Sequence, residues 1–146
     1  MTIRVFISYG REDSDTMRRV RDELQAAGME VWTDEGIRPG SPSWKLEIET
    51  AIRGTDALVV LLSPDAAQSE WVRAELDFAQ TLNKPIYPLL LRGDETNAVP
   101  FGLNTYQYID LRRSHEVETG MRRLIAAITD YHTGKTGTPL PTTADG

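Results

Sequence analysis

The chain contains no cysteine, which excludes a disulfide framework and any thiolate metal site. Its two histidines, His115 and His132, stand in the last third without partners at ligand spacing, so no metal is expected. No run of about 18 apolar residues occurs, so no membrane-spanning helix is expected. Positive charge is in short supply: 16 Lys and Arg face 22 Asp and Glu, a formal net charge of −6. That deficit argues against nucleic acid or an anionic membrane as the main partner, because both need a cationic surface. Met1-Thr2-Ile3-Arg4-Val5-Phe6 enters a strand pattern directly and does not read as a signal peptide. A soluble, cytoplasmic protein is the expectation.

Several chemical signatures are also missing. No G-x-G-x-x-G follows a strand and no G-x-x-x-x-G-K-[ST] occurs, so neither a Rossmann dinucleotide site nor a P-loop is supported. A phosphoreceiver domain needs an aspartate ending its third strand. Here that strand ends Leu61-Leu62-Ser63. No Ser–His–Asp set is apparent, since neither histidine lies near the loops where a site would gather.

What is present is an alternation of strands and helices. The 146 residues fit one domain, and 40% hydrophobic residues suffice for a packed core. Ile3–Tyr9 reads as a first strand and Gly10–Asp13 as a turn. Asp13 or Ser14 can cap a helix carrying Met17, Val20, Leu24 and Ala27 on one face, which Gly28 ends. Glu30–Thr33 reads as a second strand and Asp34–Gly40 as a loop. Ser41-Pro42 looks like a helix start, followed by the stripe Trp44, Ile48, Ala51 and Ile52. Ala57–Leu62 is apolar throughout, as in a strand covered on both faces. Ser63-Pro64 opens a short helical turn, and Ser69 can cap a helix burying Val72, Leu76 and Ala79. Ile86–Leu91 reads as a fourth strand, placed towards one side of the sheet by Pro88. After a long loop, Arg92–Thr105, come a fifth strand over Tyr106–Leu111 and a last helix from about Ser114. That helix turns Val117, Met121, Leu124, Ile125 and Ile128 inward. From Thr133 the composition shifts to Gly, Thr, Pro and Ala, so residues 133–146 read as a disordered tail or linker beyond a single domain of residues 1–132.

This order predicts a five-stranded parallel α/β sheet of flavodoxin-like winding, strand order 2-1-3-4-5, with helices on both faces. The loops after its first three strands then crowd one edge. Beside that edge lies Ser69-Glu70-Trp71-Val72-Arg73-Ala74-Glu75-Leu76, where Trp71 and Glu75 share a helix face. A lone carboxylate there can orient hydroxyls, take a proton or stabilise a cation. It suits a substrate that brings its own leaving group. Taken alone, Glu75 equally reads as a solvated helix charge. Trp71 is either a ligand contact or a cover for the sheet edge, Trp44 packs on its apolar stripe, and Trp32 reads as structural. Arg11 is either a ligand contact or a partner of Glu12 or Asp13.

Four segments in order resemble TIR domains. They are Val5-Phe6-Ile7-Ser8-Tyr9, Trp32-Thr33-Asp34 with Gly36-Ile37-Arg38-Pro39-Gly40 and Trp44, Leu58–Pro64, and Ser69–Leu76. The resemblance spans about Thr2 to His132. The family's third box, often Phe-Trp, has no counterpart, and Tyr108 stands in that region. The resemblance implies one of two activities. One is NAD⁺ glycohydrolysis, releasing nicotinamide with ADP-ribose or a cyclic isomer and coupled to self-association. The other is a non-catalytic adaptor acting through contacts between TIR domains. In the first case Glu75 matches the family's catalytic glutamate. Substrate contacts fall at Ser8, Tyr9, Gly10 and Arg11, at Arg38 (acidic in some members), and at the aromatic positions Trp44 and Trp71. NAD⁺ is then the substrate, with no further cofactor, and other TIR domains are the partners.

Overall fold

A computed structural model describes residues 2–35, 43–100, 103 and 106–134. Five strands, β1 (Arg4–Ser8), β2 (Glu30–Thr33), β3 (Ala57–Leu62), β4 (Ile86–Leu90) and β5 (Ile109–Asp110), form one sheet. Their order is β2-β1-β3-β4-β5 and every pairing is parallel, as the alternation predicts. The helices are α1 (Ser14–Ala26), α2 (Trp44–Arg53), α3 (Pro64–Ala67), α4 (Glu70–Thr81) and α5 (Val117–His132).

Strand alternation divides the core in two. Val5, Ile7, Val59, Leu61, Tyr87 and Leu89 point to one face and pack with Met17, Val20 and Leu24 of α1 and Met121, Leu124 and Ile128 of α5. Phe6, Leu58, Val60, Leu62, Ile86 and Leu90 point to the other, against Ile48 and Ile52 of α2 and Val72, Leu76 and Ala79 of α4. Ser8 has the parity of Phe6, so the last side chain of β1 faces α4. Central β3 is buried at every position, which explains its unbroken apolar run.

The ends of the helices follow their local chemistry. The hydroxyl of Ser63 accepts from the backbone N–H of Ala66 at 3.1 Å, and that of Ser69 from Val72 at 3.2 Å, capping α3 and α4. Gly28 leaves α1 with a φ of +91°, a conformation that glycine adopts freely.

The structure refines several details of the sequence reading. The fifth strand is Ile109–Asp110 alone, paired to Leu89 and Leu90, with Tyr106 an isolated bridge residue before it and the Leu111 N–H donating to the Leu90 carbonyl after it. The same register gives Pro88 a partner on β3, Val60, and none on β5, so its missing N–H is tolerated in the fourth of five strands. Asp13 heads α1 without a side-chain capping bond, its carboxylate being engaged elsewhere. Ala27 lies past the end of α1 and is exposed. At the other end, a 3-10 turn (Ser114–Glu116) precedes α5, in which Val117 and Ile125 are half-buried rather than buried.

Candidate active site

Parallel winding brings the carboxyl ends of β1, β2 and β3 to one edge, where a doubly wound sheet places its ligands. There the parity of β1 and the inner face of α4 meet. The Ser8 hydroxyl donates to Glu75 Oε1 at 2.6 Å. From one turn earlier on α4, the indole N–H of Trp71 donates to Glu75 Oε2 at 3.1 Å. Both carboxylate oxygens are thus engaged, and Glu75 is only 2% exposed.

Burial is the larger cause, and the charge of Asp34 the second, that hold the Glu75 carboxyl well above the usual glutamate range; Ser8 and Trp71 pull the other way. Asp34 follows the last residue of β2. Burial raises its carboxyl as well, and the neighbouring Trp71 indole, Tyr9 phenol and Arg11 guanidinium pull it the other way. The Tyr9 phenol is pushed up to about 12, chiefly by burial and then by Asp34.

Above these groups lies a cavity of about 830 Å³, large enough for a dinucleotide-sized ligand. Tyr9, Gly10 and Arg11 form its wall after β1, Asp34 and Glu35 its wall after β2, and Asp65, Gln68, Ser69 and Trp71 its wall after β3. Glu75 and Ser8 lie behind that surface. Trp71 therefore has two neighbours of different kind: the carboxylate it donates to, and Trp44 of α2, whose ring stacks on it at 4.5 Å and 21°.

Of the residues singled out by sequence, Ser8, Trp71 and Glu75 are joined by hydrogen bonds, and Tyr9, Gly10, Arg11 and Trp71 line the cavity. Trp44 backs Trp71 and is not among the lining residues. Arg38 lies outside the described residues. Arg11 makes no ion pair among the described residues, so its guanidinium is available to the cavity. Trp32 is 51% exposed, which does not fit the structural role read from sequence.

Asp34 was missed as a site residue, although its place directly after β2 at the binding edge marks it. A second cluster was missed too. Buried Asp13 accepts from the Ser63 hydroxyl at 2.6 Å and from Arg92 at 3.0 Å, and Arg92 also pairs with Asp65. Arg92 follows β4 at the same edge and ties the loops after β1, β3 and β4 together.

A fold of this winding with a carboxylate at its binding edge defines a class rather than a single family, and comparison with known proteins narrows it. The TIR domain model matches residues 5–125. The chain belongs to the TIR domain family. It is 32% identical over 83 residues to the NAD(+) hydrolase TcpC of Escherichia coli O6:H1, covering 56% of this chain and 26% of the relative. It is 29% identical over 115 residues to the 2′ cyclic ADP-D-ribose synthase AbTIR of Acinetobacter baumannii, covering 75% of this chain and 43% of the relative. The chain thus spans between a quarter and under half of the curated relatives it matches. Among solved structures, the TIR domain of the Toll-related receptor TRR-2 from Hydra magnipapillata matches with a TM-score of 0.71 and 26% identity, over 86% of this chain and 97% of that one.

Proposed function

We propose that this domain cleaves the nicotinamide–ribose bond of NAD⁺. The observation that carries the reading is the Glu75 carboxylate, held by Ser8 and Trp71 behind a cavity of dinucleotide size. The names of two bacterial relatives, an NAD(+) hydrolase and a cyclic ADP-ribose synthase, support it.

The chemistry asks little of the protein. Nicotinamide in NAD⁺ is cationic and departs neutral, taking the electron pair of the C–N bond. Positive charge then develops on the ribose that remains, and water or a hydroxyl of the same ADP-ribosyl unit adds there and gives up a proton. No general acid is needed. Glu75 stabilises the ribosyl cation and orients its hydroxyls, and its low-dielectric surroundings strengthen that attraction. Trp71 presents an aromatic surface to the cationic ring, and Arg11 reaches the pyrophosphate. Because Glu75 sits behind Trp71, catalysis requires that indole to move. Self-association of the domain is the event we propose to favour that movement.

A second reading is an interaction module without turnover. Trp32 (51% exposed) and Leu46 (65% exposed) favour it, since large apolar side chains on the outer strand β2 and on α2 suit contact with another protein.

Chromatography of NAD⁺ incubated with rising concentrations of wild-type and Glu75→Ala protein separates the readings. Nicotinamide release that grows faster than protein concentration and vanishes in Glu75→Ala is expected. No release at any concentration would leave the interaction module.

A further inference from the structure

The turn after β1 carries Gly10, Arg11 and Glu12 into the cavity wall, and buried Asp13 closes it from behind. Each oxygen of the Asp13 carboxylate meets a donor from a different loop. Oδ2 accepts from the Ser63 hydroxyl at 2.6 Å, after β3, and Oδ1 accepts from Arg92 Nε at 3.0 Å, after β4. Both donors also reach α3. Ser63 Oγ accepts from the Ala66 N–H at 3.1 Å, and Arg92 Nη2 pairs with Asp65, which lines the wall after β3. Arg92 itself is not among the lining residues.

We propose that Arg92 is a positioning residue of the site: from outside the cavity its guanidinium clamps Asp13 and Asp65 together, and so sets the place of Arg11 against the phosphates of a dinucleotide.

The loop that carries Arg92 is well anchored. The Leu91 N–H donates to the Leu62 carbonyl at 2.9 Å, and Arg112 Nη1 donates to the Gly93 carbonyl at 3.1 Å. A Cβ at Gly93 would lie 2.9 Å from the Pro64 ring, so this loop sits hard against the start of α3. The turn after β1 takes its place from that anchor. The Asp13 N–H donates to the Gly10 carbonyl at 2.9 Å and the Ser14 hydroxyl to the Arg11 carbonyl at 2.7 Å, so a shift of Asp13 moves Arg11 with it. A planar guanidinium holds two carboxylates at a fixed spacing, which a lysine ammonium does not.

Arg11 is the residue this spacing serves. The other guanidinium lining the cavity, Arg18, is held by Asp15 and Glu35, whereas Arg11 makes no ion pair among the described residues. A grip on the phosphates is remote from the bond that breaks. Its loss weakens substrate and transition state alike and so raises KM rather than lowering kcat. The phosphate part rests on the NAD⁺ reading; the clamp does not. Charge alone makes an opposite forecast at one position. Removing Asp65 takes a negative charge from a wall that faces phosphates, which by charge should tighten binding, while loss of the clamp should loosen it.

Two measurements test the proposal. In the first, hydrogen exchange is followed by nuclear magnetic resonance without any ligand. In Arg92→Gln the Asp13 amide should exchange about tenfold faster or more, while the amides of β3 keep their rates. In the second, nicotinamide release is measured against NAD⁺ concentration at one protein concentration. Arg92→Gln, Arg92→Lys and Asp65→Ala should each raise KM by about tenfold and change kcat by less than about twofold. In an Arg11→Ala background, Arg92→Gln should raise KM no further. Arg92→Lys serves in both measurements if Arg92→Gln does not fold. Unchanged exchange at Asp13 overturns the clamp. A KM that falls in Asp65→Ala, or effects of Arg11 and Arg92 that simply add, overturns the positioning role. Faster exchange in a protein that releases no nicotinamide keeps the clamp and removes the NAD⁺ reading.

Discussion

Ser8 Oγ and Glu75 Oε1 lie 2.6 Å apart although 67 residues separate them in sequence. The contact joins the last residue of β1 to the second turn of α4. It also gives one buried charge half of its hydrogen bonding, so the stability of the fold and the reactivity of the site are balanced against each other.

Removing that charge should stabilise the protein. Burial and then Asp34 raise the folded-state pKa of Glu75 above the ordinary glutamate value. The folded state therefore binds the proton more tightly than the unfolded chain. Glu75's favourable contribution is fully present below the unfolded pKa and is lost as pH rises through the folded one. Glu75→Gln carries no charge, and its amide can donate to Ser8 while its oxygen accepts from Trp71. Its stability relative to wild type should rise as pH increases above the ordinary glutamate pKa of about 4.3. Denaturant unfolding across a series of pH values checks this, and a difference independent of pH would contradict it.

Trp71→Phe keeps an aromatic ring to stack on Trp44 but removes the N–H that donates to Glu75. A charge-assisted hydrogen bond contributes about 1.5–3 kcal/mol, so nicotinamide release should fall by about 10- to 100-fold. Circular dichroism should show an unchanged fold. Undiminished release would mean that the indole N–H plays no part.

The loop after β4 is held by close packing. Gly93 has a φ of +89°, and a Cβ there would lie 2.6 Å from Asn97 Oδ1 and 2.9 Å from the Pro64 ring. Gly93→Ala combines a left-handed backbone with overpacking and should cost about 1–3 kcal/mol in urea unfolding. A neutral substitution would show that the loop moves aside freely.

The Asp13–Ser63–Arg92 cluster should respond unequally to its two donors. Ser63→Ala removes both a helix cap and a donor to a buried carboxylate, at a cost of about 1–3 kcal/mol. Arg92 is partly exposed, so Arg92→Ala should cost about 1 kcal/mol or less, and less still at high salt. Parallel denaturation curves at two salt concentrations test that order.

Periodicity made much of the fold legible. The unbroken run Ala57–Leu62 marked the central strand, and the stripes of α1 and α5 marked their buried faces. Tyr106–Leu111 misled because alternation gives no account of pairing, and its continuous ladder with β4 covers only Ile109 and Asp110. Within the site, the Trp71–Glu75 bond could be read because helical spacing is local. The Ser8–Glu75 bond follows from strand parity once the winding is known. Asp34 read as part of a loop because its place in the cavity wall is shared with Tyr9 and Trp71, neither of which is near it in sequence. Trp44 matched by resemblance, but its stacking on Trp71 depends on how α2 lies against α4, which no single helix encodes.

The stack of Trp44 on Trp71 also has an optical consequence. Indoles 4.5 Å apart couple their electronic transitions, giving a paired circular-dichroism signal that exposed Trp32 cannot contribute. Trp71 lines the cavity and Glu75 does not, so any motion that opens a path to the carboxylate must turn or part the two rings. The domain thus reports its own opening in ultraviolet light, without a label and without turnover.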